Sequence, residues 1–149
     1  MRLEDEIKQS RFASEQSKAS VNFLFTYHWL QGRIHTIFDG FEVTPQQYNI
    51  LRILRGQYPT PCTIQLLKDR MLDKQPDVSR LVDRLVAKEW VERKVCQGDR
   101  RKMDVAITSS GLELLEQMHP SVQKIDDCFN MLTEGELNQL YVLLDKLRG

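Results

Sequence analysis

The chain has 149 residues, 41% of them hydrophobic, with 21 basic and 21 acidic side chains and so no net charge. That size fits one globular domain or two small lobes sharing a core. No apolar run approaches the roughly 20 residues of a membrane span, and the opening MRLEDEIKQSRFASEQ lacks the apolar stretch of a secretory signal. The expected partners therefore include no membrane, and the expected location is the cytoplasm.

Hydrophobic periodicity predicts a mostly helical chain. A first long helix is expected from near Glu4 to Phe38, with Phe23, Tyr27, Leu30, Ile34 and Ile37 on one apolar face. Leu24 and His28 widen that face, and Asp39-Gly40 ends it. So long an apolar stripe on a small chain calls for another chain to cover it. A second helix opens at Thr44-Pro45-Gln46-Gln47, a capping box with proline in the first helical position. Tyr48, Leu51 and Leu54 mark its buried side, and Tyr58-Pro59-Thr60-Pro61 stops it.

Thr63 is expected to cap a short third helix, Ile64 to Leu72, with Leu67 and Met71 inward. After the turn Asp73-Lys74-Gln75, Pro76 suits the first position of a fourth helix reaching Trp90. Val78, Leu81, Val82 and Leu85 form its stripe, which leaves Asp77, Ser79, Arg80, Asp83 and Arg84 more exposed. Two short helices around a tight turn make a helix-turn-helix unit. The period then changes to that of strands over Val91–Val95 and Met103–Ile107, with the polar turn from Gln97 to Lys102 between them. Thr108 caps a fifth helix, whose stripe runs Leu112, Leu115, Met118, Val122, Ile125 and Phe129, with Pro120 inside as a candidate kink. A second capping box, Thr133 to Glu136, opens a sixth helix with Leu137, Leu140, Tyr141, Leu144 and Leu147 on one side.

Charge is unevenly placed. From Arg80 to Lys102 there are eight basic and four acidic residues, so this stretch is +4 and the remainder is −4. On a neutral chain such a segment marks either a phosphate-contacting surface or a solvated face. The order helix, turn, helix, hairpin with an arginine-rich tip favours duplex DNA as the partner. A recognition helix fits the major groove with its first residues near base edges. A basic hairpin tip can reach an adjacent minor groove.

Several ordered pieces resemble the MarR family of bacterial transcriptional regulators. They are Val78-Ser79-Arg80-Leu81-Val82-Asp83-Arg84-Leu85, Trp90-Val91-Glu92-Arg93, Asp99-Arg100-Arg101, and Ile107-Thr108-Ser109-Ser110-Gly111, with the Thr44-Pro45-Gln46 entry to the second helix. The resemblance implies a mainly α (α+β) fold: a winged helix-turn-helix lobe at 41–108, and a dimerisation frame of helices at 1–40 and 109–149. It implies a homodimer on a pseudo-palindromic operator, repression by promoter occlusion, and release by a small-molecule effector. By resemblance, Arg101 enters the minor groove, Asp99 orients it or braces the wing, and Arg100 and Lys102 serve the DNA backbone.

On the recognition helix, Arg80 and Arg84 lie one turn apart on one face and can grip guanine or phosphate, or pair with Asp77 or Asp83. Gln75 and Ser79 are hydrogen-bonding candidates near the helix start. Asp77 can accept from a cytosine amino group or stabilise the positive end of the helix dipole. Trp90 is expected to pack under the hairpin, and Glu92 and Arg93 to serve the architecture of the lobe. An effector pocket between frame and lobe would be lined by Tyr27, His28, His35, Tyr48 and Arg52.

Metal, cofactor and enzymatic signals are not found. His28 and His35 are seven residues apart, too far for an i,i+4 metal pair, and His119 is isolated. There is no nucleophile elbow, phosphate loop or HExxH. Cys62, Cys96 and Cys128 form no CxxC pair. They read as packed thiols, with redox sensing as the alternative. The family's peroxide-sensing branch uses a cysteine in the N-terminal helix, and this chain has none before Cys62. A winged-helix protein-interaction module without operator binding is the other competing reading.

Overall fold

The computed structural model describes residues 2–95 and 103–149. In chain order these are helix α1 (Leu3–Glu6), α2 (Glu15–Phe38), α3 (Pro45–Gln57), strand β1 (Cys62–Thr63), α4 (Ile64–Arg70), α5 (Val78–Ala87), β2 (Val91–Val95), β3 (Met103–Ile107), α6 (Ser109–Asp126), a 3-10 turn (Asp127–Phe129) and α7 (Glu134–Arg148).

Helix starts follow local capping chemistry. Thr44 and Thr133 each accept a hydrogen bond from the backbone N–H three residues on, and Gln47 and Glu136 reach back to the cap residue's own N–H. Thr63 and Thr108 cap α4 and α6 in the simpler way, accepting from Leu66 and Gly111. Each cap satisfies a backbone donor that the helix itself leaves unbonded, stabilising by about 1 kcal/mol. At Glu136 the bonds to the Thr133 backbone, then to its hydroxyl, hold the carboxyl below its ordinary pKa.

The expected single helix from Glu4 to Phe38 is divided. α1 ends at Glu6, Lys8 has a left-handed φ of 55°, and α2 starts afresh at Glu15 behind an Ser14 cap. A side chain with a Cβ adopts that backbone region rarely, so the local geometry ends helix propagation there. Two further boundaries differ from expectation. α4 stops at Arg70, which lets Met71 turn into the core at 2% exposure and leaves Leu72 outside at 88%. α5 starts at Val78, not Pro76, because Asp77 is its cap, and it ends at Ala87. α6 continues through Pro120.

The sheet has three strands, one more than expected, in the order β1-β3-β2 and antiparallel throughout. β3 lies in the middle, and Val105, Ala106 and Ile107 are all buried. β2 is an edge strand, exposed from Glu92 to Val95. The core beside the sheet gathers Ile50, Leu51 and Leu54 of α3, Leu67 of α4, and Val82 and Leu85 of α5, joined by Leu115 and Met118 of α6. Full burial of such a side chain contributes roughly 1.5–3 kcal/mol. Trp90 packs against this core, as expected, with the Lys88 ammonium 4.8 Å from its ring centroid.

α2 and α7 lie mostly outside that core. Of the 24 residues of α2 only Phe38 is buried, and α7 buries none. Phe23, Leu24, Tyr27 and Trp29 of α2 and Tyr141, Val142, Leu143 and Leu147 of α7 are exposed. No helix among the described residues is long and apolar enough to cross a membrane.

Candidate nucleic-acid interface and adjoining cavity

α5 is fixed from both ends. At its start, Asp77 Oδ1 accepts from the N–H groups of Ser79 and Arg80 at 3.0 and 3.3 Å. This is the capping role, which also favours a negative charge at the positive end of the helix dipole. At its end, Glu89 takes a left-handed φ of 60°. Its carbonyl accepts from the hydroxyls of Thr108 at 2.7 Å and Ser110 at 2.8 Å. The Trp90 carbonyl accepts from Thr108 N–H at 3.1 Å. The Thr108–Gly111 segment thereby ties the recognition helix to α6.

Val78, Val82 and Leu85 face inward, and the opposite side presents Arg80 and Arg84 to solvent. Neither arginine forms an ion pair with another described residue. The acids that might have claimed them are engaged elsewhere: Asp77 caps the helix, and Asp83 pairs with Arg93 of β2. The Asp83–Arg93 pair links the recognition helix to the hairpin, in keeping with the architectural role expected of Arg93. Glu92 pairs with Lys94 at 2.9 Å along the same strand. Ser79 is half-buried and Gln75 exposed, with the Gln75 N–H bonded to Asp73 Oδ1 at 3.0 Å. Asp99, Arg100, Arg101 and Lys102, with Cys96, lie outside the described residues.

A cavity of about 510 Å³ opens between α2, α3 and the turn before α5. It brings together Tyr27, Gln31 and His35 of α2, Asn49 of α3, and Leu72 and Asp73 of the turn. Of the five expected pocket residues, Tyr27 and His35 line it. His28 does not, and sits edge-on to Tyr27 with ring centroids 5.5 Å apart. Tyr48 and Arg52 also lie outside the lining. They pair with each other on α3, Arg52 Nη1 donating to the Tyr48 hydroxyl at 3.1 Å, while the Tyr48 ring packs on Phe38. Gln31, Asn49 and Asp73 were not expected there. Asn49 acquires its position from a bond to Leu72, 23 residues on, which local periodicity does not reveal.

The cysteines are separated. Cys62 is buried on β1, and burial, followed by the Asp104 carboxylate, pushes its thiol above the ordinary value. A protonated, enclosed thiol is a poor nucleophile. Cys128 is half-buried, and its thiol donates to the Lys124 carbonyl at 3.4 Å. No cluster of three metal-ligating side chains occurs among the described residues.

Two short helices around a turn, a capped recognition helix with outward arginines, and a three-stranded sheet with its β2–β3 hairpin define a winged helix-turn-helix protein. The MarR family model matches residues 41–102. A MarR transcription factor from Planctomyces limnophilus is 33% identical, with 91% of this chain and 98% of that one covered at a TM-score of 0.69. This chain belongs to the MarR family. The transcriptional repressor NicR of Pseudomonas putida is 34% identical over 107 residues, which are 71% of this chain and 66% of NicR. The S. aureus MepR–DNA complex shares the fold at 23% identity and a TM-score of 0.76, over 86% of this chain and 94% of that one.

Proposed function

We propose that this chain is a repressor that binds a pseudo-palindromic operator in duplex DNA as a homodimer and is released by a small-molecule effector. The observation that carries the reading is the outward pair Arg80 and Arg84 on a helix whose own acids are occupied. Arginine is the commonest specific reader of guanine, through two parallel hydrogen bonds. Gln75 and Ser79 flank the pair at the helix start, and Asp77 serves the helix more than the bases. Arg101, with Asp99 orienting it, is assigned to the minor groove, and Arg100 and Lys102 to the backbone. NicR, itself a repressor, and MepR, solved with DNA, support the direction of this reading. A regulator acting on chromosomal DNA would work in the cytoplasm.

In this reading residues 41–108 form the reading lobe and residues 1–40 with 109–149 the dimer frame. The exposed apolar residues of α2 and α7 support it, since a solvated monomer gains nothing from holding Phe23, Leu24, Leu143 and Leu147 in water. Two-fold pairing would cover these faces and set two recognition helices about one turn of DNA apart. Analytical sedimentation should give a dimer at micromolar concentration, and two protomers on each operator duplex. A monomer in both conditions would contradict the assembly.

A further inference from the structure

The two helices of the helix-turn-helix are joined without a glycine. None occurs between Gly56 and Gly98, so α4 lacks the residue that most often caps a helix end. Met71 turns out of the helix at φ −59° and ψ 136° instead. The backbone answers the Leu67 carbonyl, through the Met71 N–H at 2.9 Å. The next two carbonyls, of Lys68 and Asp69, are answered by a side chain: the Lys74 ammonium donates to them at 3.3 and 2.6 Å. The last carbonyls of a helix carry partial negative charge, which favours a cation as their partner. The Asp69 carboxylate is taken by Gln65 Nε2 at 2.8 Å, so what the ammonium meets there is carbonyl oxygen.

The inward stripe of Val78, Val82 and Leu85 fixes which face of α5 points out. The tilt of α5 depends also on how its two ends are held. Its far end is held by the Glu89 and Trp90 carbonyls, which accept from Thr108 and Ser110. Toward the near end most hydrogen bonds are local. Gln75 N–H donates to Asp73, and Ser79 and Arg80 N–H to Asp77. Among the described residues, two members of the turn bond outside it. The Leu72 N–H reaches Asn49 of α3 at 3.0 Å, immediately after α4. Lys74 reaches back to α4 from closer to α5, and is the last such tie before Val78.

We propose that Lys74 is a positioning residue for operator binding: its ammonium ties the end of α4 to the turn, and so sets the angle at which α5 meets DNA. The inference rests on the duplex-DNA reading above and adds to it a residue that acts without touching nucleic acid. Charge and place in the chain would by themselves assign Lys74 to a phosphate. With its donors turned to protein carbonyls, it leaves the salt dependence of binding to other residues. A change in the angle of α5 acts on base-edge contacts, which need close geometry, more than on the long-range attraction of phosphates. Losing the tie therefore weakens specific binding and spares non-specific binding.

Three forms of the chain test this: wild type, Lys74→Met, which keeps the apolar stem without donors, and Lys74→Arg, which keeps donors and charge. Anisotropy titrations on a duplex selected from genomic DNA should show Lys74→Met about tenfold weaker, the scale of one charged hydrogen bond. Lys74→Arg should stay within about threefold of wild type, since arginine also serves the last carbonyls of a helix. On an unrelated duplex of the same length, Lys74→Met should match wild type within about twofold. Its salt dependence on the operator should keep the wild-type slope, whereas a lost phosphate contact lowers that slope by about one. Without DNA, amide hydrogen exchange at Met71 and Arg80 should be about tenfold faster in Lys74→Met, the first beyond the end of α4 and the second in the first turn of α5. Unchanged operator affinity, a shallower salt slope, equal losses on both duplexes, Lys74→Arg as weak as Lys74→Met, or unchanged exchange at Arg80 would each overturn the proposal. Wild type that binds no duplex would remove the regulator reading itself, and exchange at Arg80 would still decide whether Lys74 steadies α5.

Discussion

Arg80→Ala should weaken binding to a selected operator by about ten- to a hundredfold and leave the melting midpoint of the free protein unchanged within a degree or two. The size follows from a bidentate arginine–guanine contact, worth about 1–3 kcal/mol of discrimination, at 1.4 kcal/mol per factor of ten. The absence of a stability effect follows from the surroundings. The side chain is exposed, lies opposite the buried stripe, and pairs with no other described residue. Its backbone N–H is held by Asp77, a bond that alanine retains. Affinity and thermal unfolding measured on the same preparation check both halves. An operator affinity equal to wild type would remove Arg80 from base reading. A large fall in the melting midpoint would place it in the fold instead.

Gly111→Ala should destabilise the protein by about 3 kcal/mol, at the upper end of what overpacking costs and well beyond the roughly 1 kcal/mol that alanine gains over glycine in a helix. A Cβ at this position would lie 2.2 Å from the Trp90 carbonyl oxygen and 2.8 Å from Ile107 Cγ1. The first neighbour is backbone and is already accepting from Thr108 N–H, so it cannot yield without opening the tie between the end of α5 and the start of α6. The same crowding would pull at the Glu89 carbonyl, which Thr108 and Ser110 share. Urea unfolding should show the loss as a lower midpoint. An alanine variant with the wild-type midpoint would mean that Trp90 and α6 separate at little cost.

Most of the fold was legible because the chain announces its boundaries in local chemistry. Thr44, Thr63, Thr108 and Thr133 each cap the helix expected of them, and Val91–Val95 and Met103–Ile107 are the two strands read from their alternation. The misreadings have physical causes of the same kind. Between Ile7 and Ser14 there is neither glycine nor proline, and Lys8, Gln9 and Arg11 suit a helix, so nothing in the composition marks the break at Lys8. Pro76 is a fair first helical residue, but Asp77 has the stronger claim as a cap because its carboxylate reaches two N–H groups at once. β1 is two residues long, too short for any alternation, and exists through its pairing with β3 some forty residues later.

The outward arginine face of α5 was more legible than the cavity for a related reason. Arg80 and Arg84 share a face by helical geometry alone, so spacing is sufficient to place them together. Tyr27 and His35 were within reach of the same argument on α2. Asn49 and Asp73 were not, because their place in the cavity depends on how the turn before α5 folds back toward α3. Tyr48 and Arg52 were drawn into the expected set by their chemistry, yet they satisfy each other on their own helix.

The reading as a duplex-DNA regulator meets its most direct test in salt. In the proposed homodimer, Arg80, Arg84, Arg100, Arg101 and Lys102 of both protomers should release condensed counterions on binding. The affinity of the wild-type protein for a selected operator should then fall by about a thousandfold or more between roughly 50 and 200 mM salt, the dependence expected of six to ten phosphate contacts. An affinity that is flat over that range, or no binding to duplex DNA at the lower salt, would contradict it.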